Sequence, residues 1–223
     1  MSNSPNYPKR LVRWLVGCSL AAVLLFGLAG RWKDPWLWGY LAVFAGCGLY
    51  AALRLSDDLA RERFRPPEPG ADRGALMAIR LIAFSHVIVA ALDTGRWHLT
   101  AVPEPLRFAG LVGFALAFSL VLRAMIVNRF FSAVVRIQRD RGHQVVDQGP
   151  YAVVRHPGYV GMIAAGPFSG LALGSWIGFA IALTYSILML RRVVFEDAFL
   201  RSNLEGYLSY AARVRYRLIP GVW

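Results

Sequence analysis

Apolar runs long enough to cross a bilayer alternate along this chain with polar stretches rich in arginine. Leu11–Gly30, Trp36–Leu53, Ala75–Leu92 and Leu106–Val127 each read as one helical span, because about 20 apolar residues rising 1.5 Å apiece match about 30 Å of hydrocarbon. Gly158–Leu190 is longer. As one helix its roughly 33 residues would run about 50 Å, well beyond the hydrocarbon thickness. Gly166-Pro167, Gly170, Gly174-Ser175 and Gly178 punctuate it. The pattern predicts a helical hairpin turning near Leu173–Trp176, with closely packed arms of about 15 residues.

The polar stretches sort by charge. The N-terminus (Lys9, Arg10, Arg13), Arg54–Gly74, Asn128–Pro157 and the tail after Leu190 carry most of the arginine. Arg31–Pro35, crowded by Trp32, Trp36, Trp38 and Tyr40, and Asp93–Pro105, with Trp97, carry less. Four spans plus a hairpin put both termini and the basic stretches on one side, the cytoplasmic one by the positive-inside rule. Arg54–Gly74, with Arg61, Arg63, Arg65, Arg73 and the run Pro66-Pro67-Glu68-Pro69-Gly70, reads as a solvated basic loop. In the tail Arg191–Trp223, the positions Arg192, Glu196, Leu200, Leu204 and Tyr207 recur at three- and four-residue spacing, which predicts an amphipathic helix at the membrane face. Inside the third span, Arg80 reads as snorkelling and His86 as an interhelical hydrogen bond; functional roles are the alternative.

Composition agrees with an all-α polytopic membrane protein: 57% of the 223 residues are hydrophobic, 17% are charged, and mean hydropathy is +0.44. The formal charge, 25 − 13 = +12, lies between the apolar runs and follows no nucleic-acid-binding module. Lys9 and Lys33 are the only lysines, and the Arg/Ala/Gly/Leu bias points to a GC-rich bacterial source, hence an inner membrane. The N-terminus resembles a signal peptide but lacks a small-residue cleavage site before Gly30, so it reads as a retained span. Cys18 and Cys47 sit in apolar runs as small hydrophobes, and no zinc spacing, P-loop, GxGxxG or GxSxG occurs.

Candidate chemistry concentrates in Arg136–Gly161, RIQRDRGHQVVDQGPYAVVRHPGYVG, where His143, Gln144, Tyr151, Arg155, His156 and Tyr159 have no evident packing purpose. The hairpin returns Arg191–Tyr207 beside it. Arg192 and Glu196, four apart, share one helix face. Spacing alone leaves open a surface ion pair or a cationic and an anionic anchor for a mixed-charge ligand.

GPYAVVRHPGYVG (Gly149–Gly161), preceded by RGHQVV (Arg141–Val146) and followed by RRVVFED (Arg191–Asp197), closely resembles the isoprenylcysteine carboxyl methyltransferase family, within a wider group that includes phospholipid N-methyltransferases. The likeness covers roughly Asn128 to Pro220, and the first three spans carry none of it. It implies N-terminal transmembrane helices over 1–127 and a catalytic region over 128–223 that binds S-adenosylmethionine. Carried over position by position, the cofactor residues are His143, Gln144, Val145, Val146, Tyr151, His156, Pro157, Gly158, Tyr159 and Glu196, with Gln138 as a further contact. Arg192 falls where the family places an arginine facing the methyl acceptor, and Arg155 joins it as a substrate-binding candidate. The family often has two glutamates where this chain has Glu196-Asp197, which leaves the role of Asp197 open.

These residue types suit the implied chemistry. Glu196 can meet a positive group of the cofactor, Tyr151 or Tyr159 can pack on adenine, and N–H donors near His156 can meet a carboxylate or ribose. A carboxylate acceptor needs no general base, being ionised at neutral pH, whereas an amine must first lose a proton. That favours O-methylation of a lipophilic acid reached from the bilayer. The alternatives are a phospholipid amine methyltransferase, an NADPH-dependent membrane reductase, and a transporter or scaffold.

Overall fold

A computed structural model describes residues 7–64, 66–67 and 70–223. Residues 1–6, with Arg65, Glu68 and Pro69 of the basic loop, lie outside the described residues, as do the side chains of Phe64 and Arg73. Among the described residues the chain is all-helical, with no strand. The α-helices are α1 (Tyr7–Ala29), α2 (Pro35–Arg54), α3 (Asp57–Phe64), α4 (Arg73–Leu92), α5 (Glu104–Val127), α6 (Pro157–Leu173), α7 (Trp176–Asn203) and α8 (Tyr207–Arg213). Five of them, α1, α2, α4, α5 and α7, are long and apolar enough to cross a membrane. Their outer faces are apolar as well: Val23, Phe84 and Leu116 are 72%, 67% and 67% exposed. So much exposed hydrocarbon is stable only against lipid.

Local chemistry sets the helix boundaries at the end remote from the basic stretches. Asp34 caps α2 by accepting the Trp36 N–H at 2.9 Å, with Pro35 at the first helical position. α4 runs into one π-turn, Asp93–Trp97. Asp93 is fully buried there and accepts from the Leu99 and Thr100 N–H groups, both at 3.0 Å, and from Ser175 Oγ at 2.6 Å. It thereby fastens this connection to the turn between α6 and α7.

That turn is Gly174-Ser175, where the hydropathy pattern puts it. Gly174 has φ +87° and closes α6; Ser175 accepts the Gly178 N–H at 2.9 Å and opens α7. Pro167 removes one donor inside α6 and so frees the Ile163 carbonyl. Ser186 Oγ of α7 donates to that oxygen at 2.8 Å, satisfying it across the hairpin. His86 makes an interhelical hydrogen bond, Nε2 to Ser169 Oγ at 3.0 Å, and Tyr40 meets the same hydroxyl at 2.9 Å. Arg80 is exposed on the surface of α4.

Two segments differ from the sequence reading. Neither Gly nor Pro interrupts the chain from Phe179 to Glu205, so α7 continues to Asn203 and the amphipathic tail begins as its last turns. At 1.5 Å per residue α7 is about 42 Å long and carries its polar end beyond the hydrocarbon. The basic Arg54–Gly74 stretch is also more than a solvated loop. Ser56 Oγ accepts the Leu59 N–H at 3.1 Å and starts α3, whose first turn bears Asp57 and Asp58. Leu59 and Glu62 are buried, and so is Asp72 farther on.

Candidate active site

Antiparallel helices bring the end of α5, the start of α6, the last turns of α7 and α3 to one end of the bundle. The polar segment 128–156 spans that end as two 3₁₀ turns, Arg139–Arg141 and Gly149–Ala152, with Gly142 and Gly149 at φ +61° and +57°. A cleft of about 860 Å³, counted out to its open mouth, lies between this segment, α3 and α7.

Most of the residues expected to form a site meet here. His143, Gln144, Val145, Val146, Tyr151, Arg155, His156, Gly158, Tyr159, Arg192 and Glu196 all line the cleft. Pro157 and Gln138 do not. Pro157 is buried at the first position of α6. Gln138 is buried and donates from Nε2 to the Phe130 carbonyl at 2.6 Å, while its Oε1 accepts from Arg141, so it shapes the loop from behind.

On α7, Arg192 and Glu196 stand one turn apart, and Tyr159 of α6 lies between them. The Tyr159 hydroxyl donates to Glu196 Oε2 at 2.5 Å, and the Arg192 guanidinium lies 6.0 Å from the Tyr159 ring centre. Arg192 is buried; its Nε is 2.7 Å from Asp72 Oδ2, and its Nη2 donates to the Ala133 carbonyl at 2.6 Å. The cleft thus has an acidic wall at Glu196 and a basic one at Arg192, with the rings of Tyr151, Tyr207 and Tyr210 around the acidic part. Burial raises the Tyr151 and Tyr207 hydroxyls well above the ordinary range, so both stay protonated.

Arg155 serves the framework. Its Nε and Nη2 donate to Asp197 at 2.8 and 3.2 Å, and its Nη1 to the Val214 and Arg215 carbonyls at 2.8 and 2.6 Å. Asp197, fully buried, also accepts from Tyr207 Oη at 3.0 Å, Arg201 Nε at 3.0 Å and Arg217 Nε at 3.1 Å; His156 Nε2 is 3.2 Å away. The Arg155 and His156 N–H groups donate to the Tyr216 and Arg217 carbonyls at 2.9 and 3.0 Å. Asp197 therefore ties the loop, α7, α8 and the C-terminal segment into one wall, whereas Glu196 next to it faces the cleft.

A second ion pair braces the other wall. Arg136 holds Glu62 of α3 through Nε at 3.1 Å and Nη2 at 2.7 Å, and Ser132 Oγ donates to the same carboxylate at 2.7 Å. Burial alone would raise the Glu62 pKa, but these hydrogen bonds outweigh it and leave it lowered. His143 accepts the Gln138 N–H on Nδ1 at 3.3 Å, leaving Nε2 to carry the ring proton. Burial, then Arg136 and Arg141 nearby, push its pKa down to about 4.

Residues 106–205 match the sequence profile described as phospholipid methyltransferase. Over that segment the chain is similar to the phospholipid methyltransferase family. It is also similar to two isoprenylcysteine methyltransferases. Protein-S-isoprenylcysteine O-methyltransferase of Schizosaccharomyces pombe is 32% identical over 89 residues, 38% of this chain and 36% of that protein. Protein-S-isoprenylcysteine O-methyltransferase B of Arabidopsis thaliana is 28% identical over 92 residues, 39% of this chain and 45% of that protein. The matched stretch thus spans less than half the length of either relative. Within the matched segment lie nearly all of α5, the cleft loop, the hairpin, Arg192 and Glu196.

Arg63 and Asp72, contributed by the polar stretch between α2 and α4, lie before that segment, and Tyr207 and Tyr210 after it. Sequence reasoning did not single out Arg63, Asp72 or Tyr210. Ser56-Asp57-Asp58 before Leu59 is a helix-start signature that could have revealed α3; nothing local marks Asp72 as a partner of Arg192.

Proposed function

We propose that this chain is an integral-membrane, S-adenosylmethionine-dependent methyltransferase that esterifies the carboxylate of a lipophilic, isoprenylcysteine-like acceptor. The observation that carries the reading is the pairing, on one face of α7, of a cleft-facing acid at Glu196 with a buried cation at Arg192, opposite the His143–Tyr159 loop. In this reading both termini are cytoplasmic and the membrane is a bacterial inner membrane.

The donor set suits the cofactor. Glu196, steadied by Tyr159, would hold the ammonium group, Tyr151 and Tyr207 would offer aromatic surface to the adenine, and His143 with the backbone of Gln144–Val146 would offer polar contacts to the ribose. When bound there, the cofactor supplies an electrophilic methyl group on a sulfonium, and one acceptor oxygen gains the O–CH₃ bond as the S–CH₃ bond breaks. No proton moves in that exchange, so the cleft needs no general base. Its residues have to orient the acceptor and exclude water.

Arg192, fixed by Asp72 and the Ala133 carbonyl, holds the acceptor carboxylate in line; such placement is worth several kcal/mol, about 7–11 for ideal intramolecular cases. Opposite charges that cancel on reacting favour a low-dielectric cleft, and the apolar wall of Phe130, Phe131, Val134 and Met162 supplies one. The family's phospholipid members keep a second reading in view, N-methylation of a headgroup amine.

The test is methyl transfer by the purified protein to a panel of S-prenylated N-acetylcysteines, small lipophilic acids and phosphatidylethanolamine, with equilibrium binding of S-adenosylmethionine and NADPH. Micromolar affinity for S-adenosylmethionine, roughly −8 kcal/mol, is expected. NADPH binding without S-adenosylmethionine binding would sink the methyltransferase reading, and transfer to the amine alone would replace O- by N-methylation.

A further inference from the structure

The cations around the cleft are not equivalent. Arg136 is engaged with Glu62 and Asp140, Arg155 with Asp197, and Arg192 with Asp72. Arg63, on the last turn of α3, also lines the cleft, yet among the described residues no carboxylate pairs with it. Its guanidinium sits 5.6 Å from the centre of the Phe131 ring. Arg192 and Arg80 are close enough to repel it. Burial and the Arg192 charge both lower its pKa. A desolvated cation beside a second cation is costly unless an anion joins them. Glu62, the adjacent acid, is engaged by Arg136 and Ser132 and forms no ion pair with Arg63.

We propose that Arg63 is the acceptor-specificity residue of the cleft, donating to the acceptor carboxylate from the α3 wall while Arg192 holds it from the α7 wall. The assignment rests on the carboxyl methyltransferase reading. A guanidinium presents parallel donors that match a carboxylate, and two such groups facing one anion relieve their mutual repulsion. Esterification removes the charge that Arg63 recognises, so the neutral product loses its hold. The cleft therefore prefers acid over ester.

The experiment uses full-length protein in detergent micelles as wild type, Arg63→Gln and Arg63→Lys. Equilibrium affinity is measured for S-adenosylmethionine, for S-farnesyl-N-acetylcysteine and for its methyl ester. Wild type is expected to bind the acid at least about tenfold better than the ester, Arg63→Gln to lose most of that preference and keep only what Arg192 supplies, and Arg63→Lys to recover part of it. Affinity for S-adenosylmethionine stays within about twofold throughout, which also reports an intact cleft. An acid preference undiminished in Arg63→Gln, or missing from the wild type, overturns the assignment. So does a parallel loss of S-adenosylmethionine affinity, which would place the cofactor's own carboxylate on Arg63. Wild type that binds no S-adenosylmethionine sinks the methyltransferase reading itself; wild type that binds it, beside an Arg63→Gln variant with an undiminished acid preference, sinks the Arg63 assignment alone.

Discussion

Arg192 Nε stands 2.7 Å from Asp72 Oδ2, and both side chains are buried. The other oxygen of Asp72 accepts the Val135 N–H at 3.1 Å, while Arg192 Nη2 reaches the neighbouring Ala133 carbonyl. The guanidinium that faces the proposed acceptor is therefore aimed by the residue preceding α4. Asp72→Asn keeps an acceptor for Val135 but removes the counter-charge. Turnover is expected to fall about 10- to 100-fold, because small misplacements at a reacting centre have effects of that size. S-adenosylmethionine affinity, measured by calorimetry, should change little.

Glu196 and Arg192 lie one turn apart but should fail differently. Glu196→Ala removes the acid and strands the Tyr159 hydroxyl, so S-adenosylmethionine binding should weaken about tenfold or more. Arg192→Ala should spare cofactor binding and abolish turnover. Full activity in Arg192→Ala would falsify its role at the acceptor; cofactor binding and turnover assays separate the two outcomes.

Asp197 predicts a stability effect instead. Asp197→Ala leaves Arg155 buried and unpaired and frees Arg201 and Arg217, as well as the Tyr207 hydroxyl. Breaking a buried ion pair on one side costs about 3–5 kcal/mol. Thermal unfolding in detergent should shift down accordingly, and backbone amides of the segment around Tyr216–Leu218 should lose hydrogen-exchange protection.

The parts that were legible beforehand are those with a local physical cause. The turn at Gly174-Ser175 followed from an apolar stretch too long for hydrocarbon, and the cleft loop from ligand-type side chains with no packing use. Long-range pairings had no such trace. Glu62 meets Arg136 across a separation of 74 residues, and Asp72 meets Arg192 from a stretch whose prolines and arginines look like a solvated loop. Arg155, a substrate-binding candidate from the motif, pairs with Asp197, a partner 42 residues away that is visible only where α7 and the tail converge on the loop. Gln138 is polar for the sake of the loop behind the cleft, and sequence offers no way to tell the two purposes apart.

Helix packing can be tested at Gly161. A Cβ there would come within 2.5 Å of the Ala117 carbonyl and 2.6 Å of Val121 Cγ2. The first contact is backbone and cannot rotate away, so α5 and α6 must separate. Gly161→Ala should destabilise by about 1–3 kcal/mol, the usual cost of overpacking. A lowered unfolding midpoint checks it, and an unchanged one means that the two helices do not pack this closely.

His143 should make stability depend on pH. Its folded pKa, about 4, lies below its ordinary value of 6.5, because burial and the Arg136 and Arg141 guanidiniums disfavour the charged ring against the weaker pull of Glu62. Its Nδ1 also accepts the Gln138 N–H, and a proton there would break that bond. Between those two values the unfolded chain binds the proton and the folded one does not, so this contribution to stability rises with pH. It is fully present above about 6.5, is lost progressively as pH falls, and levels off once pH passes below about 4. His143→Gln removes the titrating ring and keeps an acceptor for Gln138. Unfolding midpoints measured from pH 7 down to 4 should therefore fall more steeply for wild type than for the variant. Parallel slopes would mean that His143 titrates as it does in the unfolded chain, with no buried neutral imidazole at the cleft.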